Sequence, residues 1–227
     1  VAEPLVRVDM HVHTRASYDS LNTPDAILRG MDAIGLRWIV VADHDQLDLA
    51  LRMRETAPDR VIAGEEVRTA EGPDLIGIFL TERIPRGTPI RQAAEMIRAQ
   101  GGVVYVPHPF DVRRRGGGEQ HLRAIEDLVD VVEAHNARTW GPGVNERGEA
   151  WARERGIPLG AGSDAHTVGE IGTAYVEVPA FEPDRASFLA ALRAGRVGAR
   201  GTSSRVVAAY SAYAKVHHTV FGMKEGD

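Results

Sequence analysis

The chain has 227 residues, 43% of them hydrophobic, enough to bury a full core, and this length favours one α/β domain over two small ones. It has no cysteine, which excludes disulfides, thiolate catalysis and thiolate metal sites, so any bound metal must use nitrogen and oxygen ligands. A net charge of −5, with Lys and Arg spread throughout, argues against an extended nucleic-acid-binding surface but leaves room for a local basic pocket.

The start of the chain lacks a basic n-region followed by an apolar h-region, and no apolar run approaches the ~20 residues of a membrane span, so a soluble, cytoplasmic protein is expected. Val6, Val8, Met10 and Val12 alternate with polar residues, the period of a strand, and in that geometry His11 and His13 project from one side. Two neutral imidazoles facing one point are a metal-binding start, since they bring no buried charge of their own. The residues that follow lack a helical pattern and are expected to loop back, bringing the Asp19 carboxylate over the same point. Thr23 and Pro24 then predict an N-cap and first helical position, with Ile27, Leu28, Met31 and Ile34 on one face and a stop at Gly35.

The run from Trp38 to Ala42 is continuously apolar, as in a parallel strand covered on both faces, and it ends in Asp43, His44 and Asp45. A short helix through Leu47, Leu51 and Met53 leads to the strand Val61 to Val67, in which only one of the adjacent Glu65 and Glu66 can point inward. A strand from Asp74 to Phe79 follows, then a helix capped by Thr88 and Pro89, with Ile90, Ala93, Ala94 and Ile97 on one face and its end at Gly101. Val103 to Val106 reads as a buried strand running into His108. Helix-compatible sequence from Glu119 to Leu128 leads to the strand Val131 to Ala134 with His135 and Asn136 at its end, and a helix around Glu146 to Arg155 leads to Pro158 to Ala161, then Ser163, Asp164 and His166. Thr173 to Val178 is a last strand candidate, Asp184 begins a helix that stops at Gly195, Ser203 to His218 reads as a final helix, and the rest as a tail.

Of nine histidines, six (His11, His13, His44, His108, His135 and His166) fall at strand ends. In a (β/α) barrel the functional residues come from the carboxyl ends of the strands, so the recurrence predicts convergence at one mouth. A doubly wound sheet would concentrate them at a single switch point instead.

Taken in order, His11 and His13 with Asp19, Asp43 and His44, the Gly64-Glu65-Glu66 strand, Pro107-His108-Pro109 and Ser163-Asp164-Ala165-His166 resemble the motifs of the PHP (polymerase and histidinol phosphatase) superfamily over about residues 6 to 200. The resemblance implies a distorted seven-stranded, TIM-like (β/α) barrel over residues 1–200, with residues 201–227 as a carboxyl-terminal helix and tail. It implies two or three divalent ions, manganese, zinc or iron, and hydrolysis of phosphate esters by metal-activated water. Carried over residue by residue, it makes His11, His13, Asp19, His44, Glu66, His108, Asp164 and His166 the ligands, with Asp19, Glu66, Asp164 and His166 also serving catalysis, Asp43 orienting an imidazole and Glu65 facing away. Relatives often open the fourth strand with His; here Asp74 stands there, and a carboxylate shifts preference toward harder cations such as Mn²⁺. His135 stands where relatives carry a hydrophobic or aromatic residue, and is expected in the substrate pocket more than on a metal.

Arg113, Arg114 and Arg115 lie on a glycine-rich loop just beyond His108 and are expected to bind phosphate, in particular a phosphate other than the one being cleaved, with Arg138 a further candidate. The alternative for the loop is a solvated basic turn. His121, Lys215, His217 and His218 are expected at the solvent surface. The function expected is a metal-dependent phosphoesterase acting on a small phosphorylated compound, such as a nucleoside bisphosphate, or on a nucleic-acid end. The alternatives are a non-catalytic metal-stabilised module and a metal-dependent amide or ester hydrolase.

Overall fold

Strands that read as continuous Val, Ile and Ala runs need apolar cover on both faces, and they obtain it by closing on themselves inside a layer of helices. In a computed structural model, which describes residues 4–198, 201–203 and 205–221 (for 205–208 and 221 the backbone alone), the order of elements is β1 (Leu5–Val12), α1 (Pro24–Ile34), β2 (Trp38–His44), α2 (Asp48–Thr56), β3 (Val61–Arg68), β4 (Asp74–Ile78), α3 (Ile90–Ala99), β5 (Val103–Val106), α4 (Gly118–Ala124), β6 (Val131–Asn136), α5 (Val144–Glu154), β7 (Leu159–Gly162), β8 (Val176–Pro179), α6 (Arg185–Ala194), β9 (Arg196–Val197) and α7 (Arg205–Phe221). The sheet runs β7-β6-β5-β4-β3-β2-β1-β8-β9. Of the expected tail, residues 222–227 lie outside the described residues. No described helix is long and apolar enough to cross a membrane.

The sheet nearly closes into a barrel. The end of β1 meets the segment after β7: Val12 bridges Ala165 in parallel, the Asp164 amide donates to the His11 carbonyl at 2.8 Å, and the His13 amide donates to the Ala165 carbonyl at 3.0 Å. Seven strands therefore form the ring, as expected, while β8 pairs antiparallel with the first half of β1 and carries β9 outside it. Inside, Val8, Met10, Val40, Ala42, Ile62, Ile76, Tyr105, Val131 and Ala161 form one buried cluster with Phe188 and Leu192 of α6; between the ring and its helices lies a second, with Ile39, Val41, Met31, Ile97 and Trp151. The expected caps of α1 are present, with Thr23 Oγ1 accepting from the Ala26 amide and Gly35 left-handed at φ 66°. Thr88 does not cap α3; its hydroxyl donates to the Pro85 carbonyl, and Glu71 accepts from the Ile90 amide instead.

Two departures from a plain βα repeat shape the mouth. First, β4 is antiparallel to both β3 and β5, so its start, Asp74, lies at the same end as the carboxyl termini of the other ring strands. The connection between β3 and β4 is far too short for a parallel crossover of a dozen or more residues, and a hairpin is the result. Second, β1 and β6 each carry a register shift, between Asp9 and Val12 and between Glu133 and His135. A bulge inserts one residue and exchanges the faces beyond it. In β1 it sends Val12 to the helix side and His11 and His13 inward; in β6 it sends His135 outward and Asn136 inward.

Candidate metal centre at the barrel mouth

Interior periodicity delivers the ligands. His44 continues the inward row Trp38, Val40 and Ala42; Glu66 continues the row of Ile62; and Glu65 points the other way, where it accepts from the Ile84 amide at 2.9 Å. His108 and Asp164 lie just beyond β5 and β7 with left-handed backbones, φ 30° and 54°, a strained conformation for non-glycine residues that turns their side chains back over the mouth. Gly162 is required by close approach: a Cβ there would lie 2.3 Å from the His11 Cβ.

The result is a buried knot of imidazoles and carboxylates. His11 Nε2 lies 3.1 Å from His13 Nε2 and 3.3 Å from Glu66 Oε2. Glu66 also meets His44 Nδ1 at 3.0 Å and His108 Nε2 at 3.1 Å. His13 Nε2 lies 3.4 Å from Asp164 Oδ1, and Asp19 Oδ1 lies 3.2 Å from His166 Nε2 and 3.7 Å from His44 Nε2. Three groups have ligand atoms all within 4.8 Å of one another: His13, His44 and His166; His11, His13 and Glu66; and Glu66, Asp74 and His108. They overlap at His13 and Glu66.

These separations fit metal ions. Ligands at ~2.0–2.2 Å from a tetrahedral ion lie ~3.4 Å from each other, and the contacts above cluster around that value. The buried Asp19 Oδ1 and Asp164 Oδ1 have no hydrogen-bond partner, although carboxylate oxygens are strong acceptors. Outer partners aim the rings: Glu133 Oε1 faces His11 Nδ1 at 3.2 Å, and Ser17 Oγ, which donates to Asp43, lies 3.0 Å from His13 Nδ1. Asp43 thus orients an imidazole through Ser17, and it also accepts from the Thr14 amide and hydroxyl.

Charge follows the same pattern. Burial pushes His13 down to about 3, helped by the neighbouring His166, His44 and His11, so its imidazole is neutral and free to ligate. Burial alone would also lower His44, but Glu66 and Asp19 bring it up to about 9. Glu66 and Asp164 are held well below the usual carboxylate range despite burial, the first by His44 and His11, the second by Arg114 and His11. Asp74 is pushed up to about 6 by burial and by the Glu66 charge, even though Arg68 Nε donates to it at 2.5 Å.

Above this floor lies a cavity of about 630 Å³. Arg113, Arg114, Arg115 and Arg138 all line it, together with Tyr18, Phe110, Trp140 and Lys215. Arg114 turns inward onto Asp164, while Arg113 and Arg115 stay exposed on the wall. Arg138 is held by Glu170 at 2.7 Å and Ser211 at 2.9 Å. His135 does not line this cavity; the β6 bulge turns it toward Asn145 and two outer clefts. Lys215 is exposed, as expected, yet its ammonium lies 3.7 Å from Asp19, because α7 packs beside the mouth. His218 on the same face approaches the Ser20 carbonyl at 2.9 Å, and His121 is half-buried with Nδ1 2.6 Å from the Gly117 carbonyl.

The residues given no site role in the sequence are Asn136, named only as a strand end, Lys215, expected at the surface, and Glu170, Tyr18 and Trp140. Glu170 had a signal, since Thr167 and Glu170 have capping-box spacing; here Glu170 also accepts from the His166 amide at 2.9 Å.

A nearly closed barrel whose mouth gathers buried His, Asp and Glu at these spacings has the donor set of a metal-binding barrel. The PHP-associated family model PHP_C matches residues 142–197. An uncharacterized protein of Methanocaldococcus jannaschii is 34% identical over 176 residues, covering 76% of this chain and 70% of that one. Among solved structures, PsfC from Pseudomonas syringae superposes with a TM-score of 0.69 at 17% identity, over 94% of this chain and 99% of its own. A two-domain Bacteroides vulgatus protein containing a predicted PHP-like metal-dependent phosphoesterase gives 0.64 at 18% identity, over 93% of this chain and 70% of that one. The chain belongs to the PHP superfamily.

Proposed function

We propose that the protein is a metal-dependent phosphoesterase, with His11, His13, Asp19, His44, Glu66, Asp74, His108, Asp164 and His166 holding two or three divalent ions. The observation that carries this reading is the overlap of the three ligand groups at His13 and Glu66, on the floor of a cavity walled by arginines. Divalent ions at such a site supply Lewis acidity and an activated water at neutral pH. Nitrogen and oxygen donors suit manganese, zinc and iron, and the Asp74 carboxylate favours Mn²⁺.

The chain's own residues do the rest. Arg114 rests on Asp164, within the ligand cluster, and is assigned to the oxygens of the reacting phosphate, in place of the second phosphate foreseen for the whole Arg113–Arg115 loop. Asp19 and His166, whose Oδ1 and Nε2 lie 3.2 Å apart, are assigned to the ions as ligands, and their catalytic contribution is through that ligation. Arg113 and Arg115 give the walls a charge that suits a phosphorylated substrate and that a neutral amide or ester would not require, while Arg138 is paired with Glu170. The open, lined cavity also favours catalysis over a purely structural metal module. The substrate is a small phosphorylated compound or a nucleic-acid end.

The test is phosphate release by the Mn²⁺-loaded chain across sugar phosphates, histidinol phosphate, nucleoside mono- and bisphosphates and short oligonucleotides. Turnover is expected and is abolished by chelator. Arg114→Ala is expected to lose ~100-fold in kcat/KM even on p-nitrophenyl phosphate, which has one phosphate only. Chelator-resistant turnover, or an Arg114→Ala enzyme undiminished on that ester, refutes the reading.

A further inference from the structure

We infer that Lys215, presented by α7, is a specificity-determining residue that takes a second anionic group of the substrate; this rests on the phosphoesterase reading. The chain has 27 basic Lys and Arg residues, yet lysine occurs only at positions 215 and 224. One of the two stands at the barrel mouth. A lysine is a compact point charge on a long flexible stem, whereas arginine is a planar fork.

The placement of Lys215 is fixed by its helix. Ser211, Ala214 and His218 are spaced three and four residues apart, so they share one face of α7 with Lys215. Arg138 Nη2 donates to Ser211 Oγ at 2.9 Å, Ala214 is buried, and His218 Nε2 lies 2.9 Å from the Ser20 carbonyl. The helix is thus docked on both sides of Lys215. The ammonium reaches Asp19 Oδ2 at 3.7 Å and lies 5.2 Å from the centre of the Tyr18 ring, which itself stacks on His44 at 5.1 Å. The side chain keeps half of its surface exposed, so it remains open to the cavity.

Asp19 is the carboxylate that meets Lys215, and the same carboxylate faces His44 and His166 in the ligand cluster. Once Asp19 serves the ions, its charge is taken up, and the ammonium faces a cavity that already has Arg114 for the reacting phosphate. Its remaining use is an anion next to the scissile group, a second phosphate or a carboxylate on the same substrate. The Tyr18 ring lies beneath the ammonium and favours its positive charge there.

The experiment compares wild type, Lys215→Ala and Lys215→Arg as full-length, Mn²⁺-loaded protein. Steady-state kinetics use p-nitrophenyl phosphate and a nucleoside 3′,5′-bisphosphate, and calorimetry measures bisphosphate binding and Mn²⁺ affinity. Lys215→Ala is expected to raise KM for the bisphosphate about tenfold more than for the single-phosphate ester, to weaken bisphosphate binding by the same factor, and to be rescued by Lys215→Arg. Equal changes on both substrates, or none, overturn the assignment. So does tighter Mn²⁺ binding with no change in bisphosphate affinity, which makes Lys215 only the counter-ion of Asp19. If wild type hydrolyses no phosphate ester, the phosphoesterase reading falls, and the calorimetric comparison still decides whether Lys215 is an anion site.

Discussion

Glu66 is, with His13, one of the two side chains that join the ligand groups, so its loss should dismantle the proposed metal centre. It contacts His11, His44 and His108 at 3.0–3.3 Å and belongs to two of the three ligand groups. Its effect on a neighbouring positive charge is readable in His44, whose imidazole rises from 6.5 to about 9 although burial pulls it the other way, with Glu66 the largest raising influence. That rise corresponds to ~3 kcal/mol in favour of positive charge at this position, shared among Glu66, Asp19 and Asp74 with Glu66 the largest part. A divalent ion held directly by the carboxylate has at least as much to lose, so Glu66→Gln should weaken metal binding by ~100-fold or more. The change keeps the shape of the side chain, and metal content after dialysis against a competing buffer reads the effect directly. Circular dichroism of both apo proteins checks that the fold is kept. A Glu66→Gln protein that retains metal within a factor of ~3 of wild type would falsify the assignment.

Glu133→Gln should weaken metal binding by ~10–100-fold through His11, whose Nδ1 it faces at 3.2 Å, without removing a ligand; titration with Mn²⁺ measures it, and an unchanged affinity counts against an orienting role. Glu65 gives a pH test of the side of β3 that faces away from the site. Burial pushes its carboxyl up from 4.5 to about 7, with Arg83 opposing. The folded state therefore holds its proton where the unfolded chain has released it, so stability present below about 4.5 is lost as pH rises toward 7. Glu65→Gln should raise stability by up to ~3 kcal/mol at pH 8 and leave it nearly unchanged at pH 4. Denaturant melts at both pH values check this, and a difference that does not vary with pH refutes it.

What the sequence showed clearly is what local chemistry decides. The Thr23-Pro24 start and Gly35 stop of α1, the two-sided apolar run of β2 and the choice of Glu66 over Glu65 as the inward acid all depend on short-range period or capping, and the structure follows them. The recurrence of ligand-type residues after strands was legible for the same reason, since a nearly closed ring sends the carboxyl end of each parallel strand to one mouth, with only β4 entering it by its start. The cap of α3 was not legible: Thr88 has the right chemistry, but the orphan amide of Ile90 is taken by Glu71 from another loop.

The misreadings at the site have one cause, namely geometry set between elements. His135 and Asn136 are adjacent, and which of them faces the mouth depends on a register shift against β7 that neither residue encodes. With the bulge, Asn136 donates to both Glu133 and Asp164, so the inward place goes to a neutral amide that bridges two carboxylates where an imidazole was expected. Lys215 is the same problem on a larger scale. The α7 sequence carries Ser211, Ala214, Lys215 and His218 on one face, a mixture with no apolar stripe to mark it as inward, and its docking surface is polar too: the Arg138 guanidinium and the Ser20 carbonyl. A helix that docks by hydrogen bonds onto a charged mouth leaves little hydrophobic signature, and such a helix is the kind able to bring a lysine to a substrate.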